Sequence, residues 1–441
     1  MLISDLRLLT SVIDDLNEID LYVIKTLPKS DGVESLPVNA QQSVSTIKAG
    51  ARQHSTLILF ILCIFSFSSS NLMLNFFLPI YMKAQGLSDG QIGTVFGLMS
   101  ISALALMLPL GVLSDLFSPR RLVLLGSCIF IFYAWQILTA EAYWQFLLIA
   151  PLGGIAGSSF FIVLYALLLK TIDKNQVGKK IAFYQSGMYL GLGIGPAIGG
   201  ILIREGGFGA LLWGVLAGGL IAVTLVLKLP DTETIRFDLG GYKRDLGQGR
   251  IILFLLLVFV YPTHFGVEQT TLTLLMKESL DFSFTNIGLV YFMVGIWMAF
   301  LAPFAGHRFD TSQSLRALLL CGLAISGTFQ ILTSVVTSLP FMVIVRLLHT
   351  VGDVMMILSI GVMTAAFFPE ARMGGNSAVV VATRTCGIFT GNLGSGFLNG
   401  ALGYGYSFAV SGSVLLVFVI LAGAAMARLL VVNSSIRELE N

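Results

Sequence analysis

Residues 56–82 read TLILFILCIFSFSSSNLMLNFFLPIYM, a run without one charged side chain. As a helix it would extend roughly 40 Å at 1.5 Å per residue, more than the roughly 30 Å of a bilayer's hydrocarbon core. Eleven comparable runs follow, near 91–113, 121–139, 142–169, 180–203, 208–229, 251–275, 284–305, 315–336, 338–367, 375–398 and 406–432. Only 11% of the 441 residues are charged and 56% are hydrophobic, where a soluble domain carries about 25% charge. Lipid is therefore the expected solvent. Backbone amides in hydrocarbon must be bonded within their own segment, which forces helices. Ten-residue alternating segments, which a barrel would need, are lacking. The expected fold class is an all-α membrane protein of twelve transmembrane helices in two six-helix bundles. The net charge of +2 gives no reason to expect nucleic acid.

Short polar turns separate most runs. Residues 230–250 are the exception, polar and charged, and read as a cytoplasmic linker. The expected domains are a tail over 1–54, a bundle over 55–229, the linker, a second bundle over 251–432 and a tail over 433–441. The first tail has no basic start leading into an apolar core, so no signal peptide is expected. It is acidic, with Asp5, Asp14, Asp15, Glu18 and Asp20. Leu2, Leu6, Leu9, Ile13 and Leu16 would form one stripe of a helix; the tail is expected to be loosely ordered or docked on the protein itself, with a partner-binding helix as the other reading. With the N-terminus placed inside, sixteen basic residues fall in the loops and tail end on that side. Only Lys83, Arg204 and Lys277 fall opposite. The positive-inside rule then makes both termini cytoplasmic. The short loops suit a bacterial inner membrane. Cys63, Cys128, Cys321 and Cys386 sit singly in apolar runs, without metal-ligand spacing, and read as small buried hydrophobes.

The chain also repeats itself. Gly111 and Asp115 match Gly306 and Asp310, an offset of 195 residues (306 minus 111). Met82-Lys83 and Ile92-Gly93 match Met276-Lys277 and Ile287-Gly288. Gly191, Gly195, Pro196 and Gly200 match Gly387, Gly391, Asn392 and Gly396. Chance matches would not share an offset. Parallel six-helix repeats place a binding site between the halves, near mid-membrane.

The segment Gly111-Val-Leu-Ser-Asp115-Leu-Phe-Ser-Pro-Arg120-Arg121 resembles the major facilitator signature between helices 2 and 3. Ser118 replaces its second glycine and Leu116 its usual arginine. The physics stands beside the resemblance: Gly111 admits a close helix approach, and Asp115 can cap a helix N-terminus of the other half. Gly111, Asp115, Arg120 and Arg121, with Gly306 and Asp310, are therefore expected to gate. Gly191-x-x-x-Gly195-Pro196-x-x-Gly199-Gly200 resembles the helix-5 motif of the family's drug:proton antiporters. Its glycines permit tight packing and Pro196 bends the helix, so it is expected to hinge, or simply to pack closely. Arg346-Leu-Leu-His349-Thr-Val-Gly352 resembles the family's helix-4 motif but lies in helix 10. The matching place in helix 4, Ala150-Pro151-Leu-Gly-Gly154, has no arginine.

Six ionisable groups lie well inside spans: His264, Glu268, Arg346, His349, Asp353 and Arg384. Each costs several kcal/mol unless paired or hydrated, and is a functional candidate for that reason. All are in the second half. Arg346, His349 and Asp353 share one face of helix 10, and His264, Glu268 and Thr271 one face of helix 7. The family resemblance implies that helices 1, 4, 7 and 10 line a central cavity, which sets the two faces against each other. Depth along the helices suggests the pairs Arg346–Glu268 and Asp353–Arg384. Glu268, Asp353, His264 and His349 are the expected proton-coupling groups, or else parts of static salt bridges. Arg346, Arg384, Asn71, Asn75, Gln185 and Tyr189 are the expected substrate-binding groups, the asparagines having helix–helix bonding as their other reading.

The sequence predicts a secondary transporter that exports a small organic solute against protons. An uptake symporter for an organic anion and a non-transporting receptor or scaffold are the alternatives. No P-loop, zinc motif or nucleophile elbow occurs, so no enzyme, catalytic residue, cofactor or metal is expected. The expected partners are a small-molecule substrate, protons and the lipid bilayer, and the expected unit is a monomer.

Overall fold

A computed structural model describes residues 38–171, 177–230, 249–312, 315–368 and 373–429. Every regular element among them is helical. Numbered by span, they are α1 (Val38–Ala84), α2 (Asp89–Leu116), α3 (Pro119–Ile137), α4 (143–171), α5 (177–205), α6 (208–226), α7 (249–279), α8 (Phe284–Ser312), α9 (Leu315–Thr333), α10 (Leu339–Phe367), α11 (Met373–Leu402) and α12 (Tyr404–Leu429). Among the described residues, helix is present from Val38 onward, within the segment read as a tail. The acidic stripe of residues 2–16 and most of the 230–250 linker lie outside the described residues.

Eight segments are long and apolar enough to cross a membrane. One of them, Phe183–Val226, is α5 and α6 together. They part at Gly206 and Gly207, where φ of +66° at Gly207 is open to glycine and costly to other residues. Ala317–Thr333 in α9 and Tyr404–Ile420 in α12 are shorter apolar helices. The exposed Trp135, Trp144 and Trp213 sit at the ends of α3, α4 and α6 that the sequence places outside, as an interfacial aromatic belt would.

In the first half, α1 packs on α5 and α6, and α4 on α2 and α3; in the second, α9 packs on α10 and α12, and α7 on α11. The halves meet along two seams, α2 with α11 and α5 with α8. Both seams are main chain against main chain. A Cβ at Gly93 would fall 2.6 Å from Asn392 O, and one at Gly288 2.6 Å from Pro196 O. Small residues allow this approach, and dispersion contacts then hold it. At the seam's end Asp89 binds Lys83 at 2.7 Å and accepts from Tyr404 Oη at 3.2 Å, joining α2 to α12. The same logic operates within a half: Gly391 on α11 abuts the Thr263 carbonyl of α7. A Gly391→Leu variant is expected to lose about 1–3 kcal/mol to overpacking, read as a lower melting temperature of purified protein in detergent; an unchanged melting curve would contradict the seam.

Two helices depart from regular form. α4 carries a π-turn at Ser159–Val163. α7 stops at Val260 and resumes at Thr263–Val267, because Pro262 has no N–H to continue the ladder. It then passes through π-turns at Glu268–Leu272 and Leu275–Ser279. Such turns are common at functional sites, since they re-aim side chains.

Candidate functional site

The break in α7 is where the ionisable residues gather. With the helix interrupted, the Tyr261 carbonyl takes the ring Nδ1 of His264 as its partner. Across from it, the α10 face presents Arg346, His349 and Asp353, all nearly inaccessible to solvent. Arg346 Nη2 donates to Glu268 Oε1 at 2.6 Å and Nη1 to Gln330 Oε1 at 3.3 Å. His349 Nε2 lies 3.0 Å from Glu268 Oε1 and 3.1 Å from Asp353 Oδ2, between the two carboxylates. Its Nδ1 meets the Ser326 carbonyl at 2.9 Å. Asp353 Oδ1 accepts from Tyr261 Oη at 2.9 Å and Ser326 Oγ at 3.0 Å, and lies 3.3 Å from His264 Nε2.

This geometry dictates where protons must be. A backbone carbonyl only accepts, so both Nδ1 atoms, assigned from their partners, carry hydrogen. Each Nε2 then faces a carboxylate. Neither Nε2 makes a well-angled hydrogen bond to it in this arrangement, and a bare lone pair there would repel an ionised oxygen, so a proton added to the cluster has its place at these contacts. The cluster is a line of contacts running Glu268, His349, Asp353, His264, with Arg346 fixed at its first member. Glu268 is its most accessible acid, its side chain 16% exposed.

The expected Arg346–Glu268 pair is present. The expected Asp353–Arg384 pair is not: the two histidines, Tyr261 and Ser326 surround Asp353, while Arg384 is exposed, its guanidinium carbon 5.7 Å from the centre of the Phe265 ring. His264 from α7 and His349 from the acid's own helix stand beside it instead. Asn75 Nδ2 donates to Asn71 Oδ1 at 3.0 Å, and Tyr133 Oη to Asn75 Oδ1 at 3.4 Å; these asparagines join α1 to α3. Tyr189 is buried beside Met298 and Val354, and Gln185, one turn earlier, is half-buried. Gly191 and Gly195 abut Ser68 and Ser69 of α1, whereas Gly200 and Pro196 face α8. Arg120 Nη1 donates to the Leu229 carbonyl at 3.1 Å, and Arg121 is exposed. The side chains of Gly111, Asp115, Gly306 and Asp310 lie outside those described.

Sequence reasoning passed over the uncharged polar groups. Tyr261, Ser326 and Gln330 complete the cluster. A second seam runs up α11: Asn392 Nδ2 donates to Ser100 Oγ at 2.9 Å and Gln269 Oε1 at 3.3 Å, and Asn399 Nδ2 to Thr271 Oγ1 at 2.9 Å. The i, i+3, i+7 spacing of Asn392, Ser395 and Asn399 was its visible signal.

Ligand atoms of His264, Glu268 and His349 lie within 4.8 Å of one another, a spacing that fits a divalent ion. Arg346 already holds one carboxylate oxygen of Glu268, and its fixed charge would oppose a second cation.

A twelve-helix membrane chain whose halves meet at two seams, with buried charges beside them, has the build of a secondary transporter. The family model described as Major Facilitator Superfamily matches residues 58–261 and 253–438, so the chain belongs to that superfamily of transporters. An "Uncharacterized MFS-type transporter" of Methanocaldococcus jannaschii is 23% identical over 74% of this chain and 86% of its own. A Saccharomyces cerevisiae protein named "Probable drug/proton antiporter" is 30% identical over 18% of this chain and 16% of its own. The crystal structure of a POT family transporter in complex with 5-aminolevulinic acid matches with a TM-score of 0.72 at 13% identity, covering 85% of this chain and 96% of that one.

Proposed function

We propose that the protein exports a small organic solute by alternating access, in exchange for protons held by the α7–α10 cluster. The observation that carries this reading is His349 Nε2, set between the Glu268 and Asp353 carboxylates with its Nδ1 tied to a carbonyl. Glu268 takes up the proton, His349 passes it inward, and Asp353 with His264 stores it. When Glu268 is protonated, its hold on Arg346 weakens, which loosens α7 from α10. The two bundles, 55–229 and 251–432, rock about the α2–α11 and α5–α8 seams, with 230–250 as their tether and Gly191, Gly195, Pro196 and Gly200 in the bending region. Asp115 and Asp310 close the cytoplasmic side. The likeness of an 81-residue stretch of this chain to the yeast protein named as a probable drug/proton antiporter supports export.

The test is purified protein in vesicles with an imposed pH gradient. Because an exchanger moves protons only as it moves solute, proton flux is read with an internal pH dye while a panel of organic solutes is offered. Glu268→Gln and Asp353→Asn are each expected to cut solute-dependent proton flux by about 100-fold. Full flux in both variants would reject the proton reading.

A further inference from the structure

We propose that Arg384 is the anchor for the carried solute, and that the solute is a small organic carboxylate with a flat apolar body. This rests on the transport reading and names its substrate class. Arg384 is the eleventh residue beyond the start of the 30-residue α11, so it sits roughly 17 Å along the helix, at mid-membrane depth. A charge there costs about 3 kcal/mol unless something answers it. Every other embedded charge is answered: Arg346 by Glu268, and Asp353 by two histidines, Tyr261 and Ser326. Arg384 forms no ion pair among the described residues. It is exposed, and its guanidinium lies over the Phe265 face, 5.7 Å from the ring centre.

Its surroundings are drawn from both halves of the chain. Its charge reaches the Tyr189 hydroxyl on α5 and the Tyr261 hydroxyl on α7. α11 packs on α2 of the first half as well as on α7, and Thr385 beside Arg384 meets Met107 of α2 at 3.6 Å, so this stretch of α11 lies where the halves meet. Gln185 lies one turn from Tyr189 on α5, half-buried. A guanidinium offers two parallel donors that match a carboxylate. Phe265 beside it supplies a ring surface for the remainder of the ligand, and Tyr189 and Gln185 supply further polar contacts.

Benzoate is the probe, with benzamide as its uncharged isostere, in a thermal-shift titration of the full chain in detergent without any gradient. Benzoate is expected to raise the wild-type melting temperature and benzamide to leave it in place. Arg384→Gln should weaken half-saturation by benzoate at least tenfold, the loss of one charge-assisted contact; Arg384→Lys, which keeps the charge but loses the fork, should fall between. Without ligand, Arg384→Gln should melt no lower than wild type, because it removes an unanswered charge. No shift with benzoate, equal shifts with benzoate and benzamide, or undiminished benzoate binding by both variants overturns the assignment. With no gradient present, that failure would leave the proton reading intact, and failure of the vesicle assay would leave the anchor intact.

Discussion

Arg346→Gln is expected to lose about 3 kcal/mol of stability, because it strands the Glu268 carboxylate inside the bundle. The guanidinium stands 2.6 Å from that oxygen and is almost wholly enclosed. It is the one fixed positive charge on the cluster; His349 shares the oxygen, but its charge depends on a proton. Removing only Arg346 leaves an acid that must bind a proton or unfold its surroundings. The loss is a large part of the 5–15 kcal/mol by which folded domains are held. Removing both charges should behave differently. Arg346→Gln with Glu268→Gln leaves two amides able to bond each other, and should recover most of the melting temperature lost by the single variant while remaining without proton-coupled flux. Melting curves in detergent with vesicle flux beside them make the comparison. A single variant as stable as wild type, or a double variant that pumps, would contradict the pairing.

The second large effect concerns the link between the two acids. His349 is within 3.1 Å of both carboxylates, and its Nδ1 anchor on Ser326 holds the ring in place. Asparagine here keeps a polar side chain of smaller reach and cannot shuttle a proton. His349→Asn should therefore lower solute-driven proton flux by about 100-fold, even though Asp353 retains His264, Tyr261 and Ser326. Flux traces set against melting curves separate this from simple unfolding. Wild-type flux in a folded His349→Asn protein would mean that protons reach Asp353 by another route.

Charge counting along apolar runs was enough to read the helical class, the helix number and the crowding of ionisable groups into the second half. Depth arithmetic paired Arg346 with Glu268, because the two-residue break at Pro262 changes the height reached along α7 only slightly. It failed for Asp353, because depth fixes a residue's level in the membrane and not which neighbours face it there; the two histidines, Tyr261 and Ser326 face that acid. The exposed state of Arg384 was hidden for a related reason: spacing tells which residues share a face, not what the face meets. Asn71 and Asn75 show the same limit, since i, i+4 amides can bond each other as readily as a ligand. Tyr261, Ser326 and Gln330 went unnoticed because an uncharged polar group in a membrane helix is common, and only its contacts reveal whether it is structural.

The placement of every deeply embedded charge of the described residues in the second half has an electrical consequence. A membrane potential acts on charge, and moving one elementary charge through 100 mV is worth about 2.3 kcal/mol. The first half, without such charges among the described residues, is nearly blind to voltage, while α7, α10 and α11 stand in the field with Glu268, Arg346, Asp353 and Arg384. Voltage would therefore press on one bundle only, and each proton gained or lost by the histidines and carboxylates would change the force it exerts.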